Sequence, residues 1–482
     1  MGRLIQLPVL QLSLILIAFW AALAPSTANA QGISLLRDAE IEEFIEDYSY
    51  PIFEAAGIPK DSIEILLVND LSFNAFAGGR FMGVNAGLLT FAQTPNQVEA
   101  VIAHEAGHLA GNHSARTQEA IANASRPLIL GLILAAGAIA AGAPEAGIGL
   151  LGLGQTVGTA NFLKYSRGQE SSADAASITY LNKIGHSSKG ALEIWRRQRN
   201  NQIIRGRQIN PYYVTHPLAS ARLNALKTRA EASPYFDVVD PPEEIYRLEM
   251  IQAKIHGFLS DPESVLVRHP IEDQSDQARY ARAVAYYRIA RLDEALSEIN
   301  YLTSQYGDNP YYHELQGQML YESGRAKDAV APQTKAVKLK PDSALLRISL
   351  GRSLLGTGDK PDRAKSIAEF KRALLLERSN SFAWFELARA YGADENEPMA
   401  NLATAESRYY GGASRDANSF ARRAIVSLRQ GSSEWRQAAD IILATTPKGQ
   451  DPRLPKALPP GERKTKPKAP EEPKKQEVPD PT

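Results

Sequence analysis

A period of about 34 residues runs through the second half of this chain and leaves few architectures open to it. Small residues stand at Ala283, Gly317, Gly351 and Ala388, at intervals of 34, 34 and 37. Three positions later come Tyr286, Leu320, Leu354 and Tyr391, at the same intervals. Ala295 and Ala329 are also 34 apart, Ala400 sits at the matching place in the fourth unit, and Pro341 closes the second. A repeat of this length is one pair of helices that cannot bury its apolar face alone, so neighbouring units must stack. The small residues mark where two helices of a pair approach closely, because a larger side chain would push them apart.

The period resembles the tetratricopeptide repeat, and the fourth unit carries it best, with Trp384, Leu387, Ala388 and Tyr391. The three extra residues between the third and fourth columns fit an insertion near Gly358–Arg363, between paired helices. Residues 415–445 read as a degenerate last unit or cap, and the array is expected over 276–446. Beyond it, residues 447–482 hold proline, lysine and glutamate with few core formers, the composition of a disordered tail.

The 482 residues are too many for one ordinary domain. Lysine plus arginine equals aspartate plus glutamate, 54 each, so no global basic field argues for nucleic acid. The absence of cysteine excludes disulfides, cysteine zinc sites, a cysteine nucleophile and lipid attachment at an N-terminal cysteine. Arg3, the apolar run Leu10–Leu23 and the small-residue site Ala28-Asn29-Ala30 form the layout of a secretory leader, residues 1–30, cleaved after Ala30. The mature chain is expected in a bacterial periplasm or an equivalent exported space.

Between leader and array, residues 31–232 read as an α-rich domain with a small sheet, and 233–275 as a connector with one or two helices. Ile41, Phe44, Ile45 and Tyr48 recur at helical spacing, Ser62–Val68 reads as a strand, and Phe73–Val84 is glycine-rich and β-like. A helix then starts at Thr94-Pro95, with Gln97 completing a capping box and Val98, Val101, Ile102, Ala106 and Leu109 as its apolar stripe. Residues 127–163 are rich in glycine, alanine and leucine, split by Pro144 into halves too short to span a bilayer. A buried hairpin or active-site cover is the plainer reading there, and a peripheral membrane contact the sharper one.

The chemistry lies in His104-Glu105-Ala106-Gly107-His108. Residues i and i+4 share a helix face, so both imidazoles reach one ion, and neutral imidazole suits Zn²⁺. Glu105 points slightly off that face, where it can take a proton from a water acidified by the metal and pass it to a leaving amine. Downstream, Glu170 and Asp174 repeat the i, i+4 spacing. Glu170 can be the third ligand of one zinc ion per chain, and Asp174 can accept from the far nitrogen of a ligating histidine.

This pair of motifs resembles the gluzincin metallopeptidases, and within them the group containing HtpX and the CAAX prenyl endopeptidases. Asn74-Ala75-Phe76-Ala77-Gly78-Gly79, Val84-Asn85-Ala86-Gly87-Leu88-Leu89, Arg167 with Glu170, Ala173 and Asp174, and Thr215-His216-Pro217 with Arg222 extend the resemblance over about residues 40–230. It implies Glu105 as base, His104, His108 and Glu170 as ligands, Asp174 in support, and a substrate strand along an edge strand within Gly79–Val84. His216 and Arg222 are expected to face the open metal position. There His216 either stabilises the tetrahedral intermediate or fills the fourth coordination position; the plain alternative is a structural histidine in a proline turn. His113, His186, His256, His269 and His313 read as structural or surface residues.

HtpX and the prenyl endopeptidases are membrane proteins; a leader, no clear span and an added array set this chain apart. That combination resembles the periplasmic proteases of Gram-negative bacteria that enhance β-barrel assembly. It implies outer-membrane β-barrel proteins as substrates and contact with the barrel assembly machinery through the array. The fold expected is mostly α: an α+β gluzincin domain followed by an α-solenoid of tetratricopeptide repeats. The function expected is zinc-dependent endopeptidase action on misfolded or stalled exported proteins, with a chaperone-like scaffold whose peptidase is normally shut as the alternative.

Overall fold

The computed structural model describes residues 34–117, 166–205, 220–447 and a few isolated positions, His216 among them. The leader 1–30, the apolar segment 127–163 apart from Leu130, Thr215, Pro217 and nearly all of the tail lie outside the described residues.

The first helix of the described residues is α1 (Ala39–Ala55), which the Asp38 carboxylate caps by accepting from the backbone N–H of Glu40 and Ile41 at 3.1 and 3.0 Å. Its stripe of Ile41, Phe44, Ile45, Ile52 and Phe53 is buried. Three strands follow: β1 (Glu64–Val68), β2 (Ala75–Gly78) and β3 (Phe81–Asn85). Their order is β1-β3-β2, with β1 parallel and β2 antiparallel to β3. This corrects the expectation that Gly79–Val84 offers an edge. That segment is mostly β3, which is central because the connection after β1 carries the chain to the far side before it returns. The free edge beside the metal-site helix belongs to β2. Asn85 N–H donates to Asn74 O at 3.1 Å, so 74 and 85 form a hydrogen-bonded pair. By the alternation of an antiparallel ladder, the backbone groups of Ala75 and Ala77 then point away from β3.

Short α2 (Ala86–Phe91) leads into α3 (Pro95–Ala110), which carries the pentad. From Pro95 to His108 α3 is buried on every side, more than its apolar stripe alone predicts; Leu109 is half-buried. The expected capping box is replaced. Thr94 makes no side-chain cap bond, Gln97 accepts instead from the N–H of Gln93 (2.9 Å), and Asp240 accepts from the N–H of Asn96 (3.0 Å). A carboxylate at this end also suits the helix dipole.

Helix α4 covers 166–184, followed by α5 (Lys189–Arg205) and α6 (Ser220–Glu231). Helix α4 packs on α3 where Gly107 meets Ala173; a Cβ on Gly107 would stand 3.0 Å from the backbone Cα and O of Ala173. That close crossing lets side chains from both helices converge.

Helix α7 (Pro242–Leu259) and short α8 (Pro262–Arg268) follow. Leu248, Ile251 and Ile255 of α7 join the core around α1–α6, while Met250 and Ala253 join the next core along. Gln252 fastens α7 to α2 by donating to the carbonyls of Leu89 and Ala92, both at 2.8 Å.

Five antiparallel helix pairs complete the described chain: α9 (Asp276–Arg288) with α10 (Leu292–Gln305), α11 (Pro310–Glu322) with α12 (Ala326–Leu339), α13 (Ala344–Gly356) with α14 (Lys360–Leu376), α15 (Ser381–Ala393) with α16 (Glu397–Tyr410), and α17 (Ser414–Ile425) with α18 (Ser433–Thr445). They form the expected α-solenoid. A Cβ on Gly317 would stand 2.6 Å from the Gln333 side chain, and one on Gly351 2.5 Å from the Phe370 ring, the close approach that the small residues signalled. The three extra residues do not lengthen the loop between paired helices. They add a turn to α14, which has 17 residues where α10, α12 and α16 have 14.

The array grips α1. Lys254 of α7 meets Asp38 (2.7 Å) and Glu40 (3.1 Å), and Tyr280 of α9 donates to Glu40 (2.7 Å). Glu43 pairs with Tyr311 and Lys340, and Arg37 with Glu377 at 2.9 Å. Among the described residues, no helix is long and apolar enough to cross a membrane.

Candidate metal centre

Helix α3 projects His104 and His108 from one face because four residues advance it by little more than a turn. Helix α4 brings Glu170 and Asp174 from the opposite side, and His216 and Arg222 arrive from the segment before α6 and from its first turn. The structure therefore gathers all six sequence-predicted site residues and Arg222, and every one of the six is buried.

The donor atoms converge closely. His104 Nε2 lies 3.1 Å from His108 Nε2, 3.4 Å from His216 Nδ1 and 3.4 Å from Glu170 Oε2. Glu170 Oε1 lies 3.3 Å from His108 Nε2 and 3.1 Å from His216 Nδ1. Ligand atoms at the corners of a tetrahedron of radius ~2.0–2.2 Å stand about 3.3–3.6 Å apart. These spacings fit one metal ion of zinc's size held by His104, His108, Glu170 and His216, the one cluster of this kind among the described residues.

The surroundings favour positive charge at that point. Burial opposes a charged His104, yet Asp174 and Glu170 outweigh it and raise its pKa to about 9. Burial also opposes a charged Glu170, but His104, His108 and His216 hold its carboxyl far below the usual carboxylate range. Asp174, likewise opposed by burial, is held at about 2 by Arg222 and His104. Arg222 clamps Asp174 from Nε and Nη2 at 2.6 and 2.8 Å and reaches Glu170 from Nη1 at 2.7 Å. Asp174 Oδ1 stands 3.0 Å behind His104 Nδ1, the position of a residue that orients a ligand.

Glu105 lies apart from the donor cluster. Its Oε1 is buried without a hydrogen-bond partner and stands 3.6 Å from His216 Nε2. Burial pushes its carboxyl up to about 7, the range suited to taking and giving protons near neutrality.

The part of the sequence that builds this centre is similar to a known protein family. Residues 35–230 match peptidase family M48. The M48 match supports a metallopeptidase. The chain is also 25% identical over 412 residues to the beta-barrel assembly-enhancing protease of Escherichia coli K12, covering 83% of this chain and 81% of that protein. The Yersinia pestis protein of the same name is 23% identical over 411 residues, covering 83% of this chain and 82% of the relative. A Vibrio cholerae protein named putative beta-barrel assembly-enhancing protease is 24% identical over 285 residues, and the match spans 58% of its length. At 83% of this chain, the likeness to the first two of these relatives reaches beyond the M48-matched residues into the array.

Two residues beside the M48 motifs escape sequence reasoning. Trp195 of α5 is buried edge-on to His104, ring centroids 5.8 Å apart. His113, expected to be structural or at the surface, is buried with Nδ1 only 2.9 Å from His108 Nδ1. Its placement depends on Asn112, whose φ of 50° turns the chain back after α3. An asparagine after a glycine at a helix end was the available signal.

Proposed function

We propose that this chain is a periplasmic zinc-dependent endopeptidase of gluzincin type, which degrades misfolded or stalled exported proteins and assists outer-membrane β-barrel assembly. The observation that carries the reading is the set of metal-spaced donor atoms on His104, His108 and Glu170 beside the orphaned carboxylate oxygen of Glu105. These three residues would hold the metal. A bound zinc ion supplies the Lewis acidity that polarises a scissile carbonyl and acidifies water. Glu105 takes a proton from the attacking water and passes it to the leaving amine as the peptide C–N bond breaks. Asp174 orients His104, and Arg222 holds Asp174 and Glu170 in register.

An extended substrate has a natural partner in the free edge of β2. The outward backbone groups of Ala75 and Ala77 can pair with it as an added strand, although Ala77 O already accepts from Ser114 Oγ at 3.0 Å. Substrate pairing at Ala77 must displace or share that bond. The array supplies concave surface for docking the barrel assembly machinery. Residues 127–163 would make any peripheral membrane contact.

A second reading is favoured by His216. Its Nδ1 takes the fourth corner of the donor set, so the resting chain is a closed peptidase that serves as a chaperone-like assembly scaffold until substrate displaces that residue. The leader cleaved after Ala30, the 31–232 peptidase, the 233–275 connector and the 276–446 array complete the proposed organisation.

Glu105→Gln separates the readings. The variant should bind zinc, lose peptidase activity by about 10²–10⁴-fold and trap periplasmic and outer-membrane proteins identifiable by mass spectrometry. Full biological activity in the zinc-bound variant would remove the peptidase from the function.

A further inference from the structure

The two histidines of the pentad are held from behind by different residues. Asp174 Oδ1 stands 3.0 Å from His104 Nδ1. The corresponding atom of His108 faces His113 Nδ1 at 2.9 Å, in a buried setting. Two neutral ring nitrogens at that distance hydrogen-bond only if one carries a proton and the other does not. His108 turns its Nε2 toward the donor cluster, 3.1 Å from His104 Nε2 and 3.3 Å from Glu170 Oε1. If Nε2 keeps its lone pair for a metal, the proton of His108 must sit on Nδ1.

We infer that His113 is the positioning residue of His108: its Nδ1 accepts the His108 Nδ1–H, fixing the tautomer and ring angle that present Nε2 to the metal. This rests on the zinc reading above. It assigns His113 itself the Nε2–H tautomer. That atom lies against the C-terminal end of α3, where a Cβ on Gly111 would stand 2.4 Å from it. A helix C-terminus carries free carbonyls and partial negative charge, which suits an N–H there. Glycine at 111 leaves the room the ring occupies.

The backbone of His113 is fixed to the rest of the centre. Its carbonyl accepts from Thr117 Oγ1 at 2.8 Å and from Gln169 Nε2 at 3.1 Å. Gln169 immediately precedes Glu170, so one short network ties the orienting residue of the second histidine to the third ligand. A neutral acceptor is the appropriate choice here. Carboxylates already crowd the other side of the cluster, and a further anion behind His108 would add repulsion to Glu170.

The test uses the full chain and zinc, with affinity measured by competition with a chromogenic chelator. His113→Phe keeps a ring but has no acceptor; His113→Gln keeps an acceptor on a flexible stem. The inference expects His113→Phe to lose zinc affinity by about 10–100-fold while remaining folded by circular dichroism, and His113→Gln to recover most of it. Undiminished affinity in His113→Phe overturns it, as does equal loss in both variants, which would mean the ring only fills space. Should His113→Phe fail to fold, the wild-type protein decides. Nitrogen-15 spectra of the zinc-loaded chain must show a slowly exchanging proton on His108 Nδ1, and its absence overturns the assignment. A wild-type chain that binds no zinc overturns the metal reading itself, a result distinct from a wild-type chain whose affinity survives His113→Phe.

Discussion

His216 Nδ1 stands 3.1 Å from both carboxylate oxygens of Glu170, on the same side as the nitrogens of His104 and His108. In the proposed zinc reading, an imidazole in that place would occupy the corner that a substrate carbonyl or water needs. Replacing it by alanine is expected to raise kcat/KM on an unstructured fluorogenic peptide by roughly tenfold or more, in proportion to the fraction of molecules that rest closed. Metal affinity should fall at the same time, because one donor is gone. A drop in kcat with unchanged KM would instead assign His216 to the reaction's intermediate.

Asp174 touches His104 on the side away from the donor cluster and takes two hydrogen bonds from Arg222. Asp174→Asn preserves its shape but removes the charge that steadies both neighbours. Zinc affinity should fall by about 10–100-fold, measured by chelator competition, with the helical circular dichroism signal retained.

Gly351 sets the crossing of α13 and α14, with the ring of Phe370 where its Cβ would be. Gly351→Val should destabilise the chain by about 1–3 kcal/mol, the cost of overpacking a filled core, read from the urea midpoint. Gly392 is the control. It lies in α15, where an added Cβ would meet nothing within 4 Å, so Gly392→Ala should be neutral or slightly stabilising.

His186 donates to Glu99 at 2.6 Å, and this bond raises the histidine's pKa. Burial raises that of Glu99 as well, against the pull of His186. Both shifts have one sign. A raised folded-state pKa contributes stability in full below the unfolded value and loses it as pH climbs through the folded one. The gap in thermal midpoint between wild type and His186→Asn should therefore narrow as pH rises through the histidine's raised folded-state pKa. A gap that widens with pH would contradict this assignment.

Much of the centre was legible because helices convert spacing into direction. His104 with His108, and Glu170 with Asp174, each declare a shared face, and the 34-residue recurrence declares paired helices. What the sequence hid is what depends on partners far along the chain. The cap of α3 comes from Asp240, 144 residues beyond Asn96, so Thr94 and Gln97 misled. Alternation marked the strands but not their order, which is why the edge went to the segment holding β3 instead of β2. His113 lies beyond the end of α3 and reaches His108 only through the reversal at Asn112.

Helix α7 gives Leu248, Ile251 and Ile255 to one core and Met250 and Ala253 to the next. A recombination junction before Pro242 would strip the catalytic part of an inner wall, and one after Leu259 would leave it with a greasy outer flank. In this chain the catalytic part and the first repeats share α7 as a common wall, so a transplant of either has to carry that helix with it.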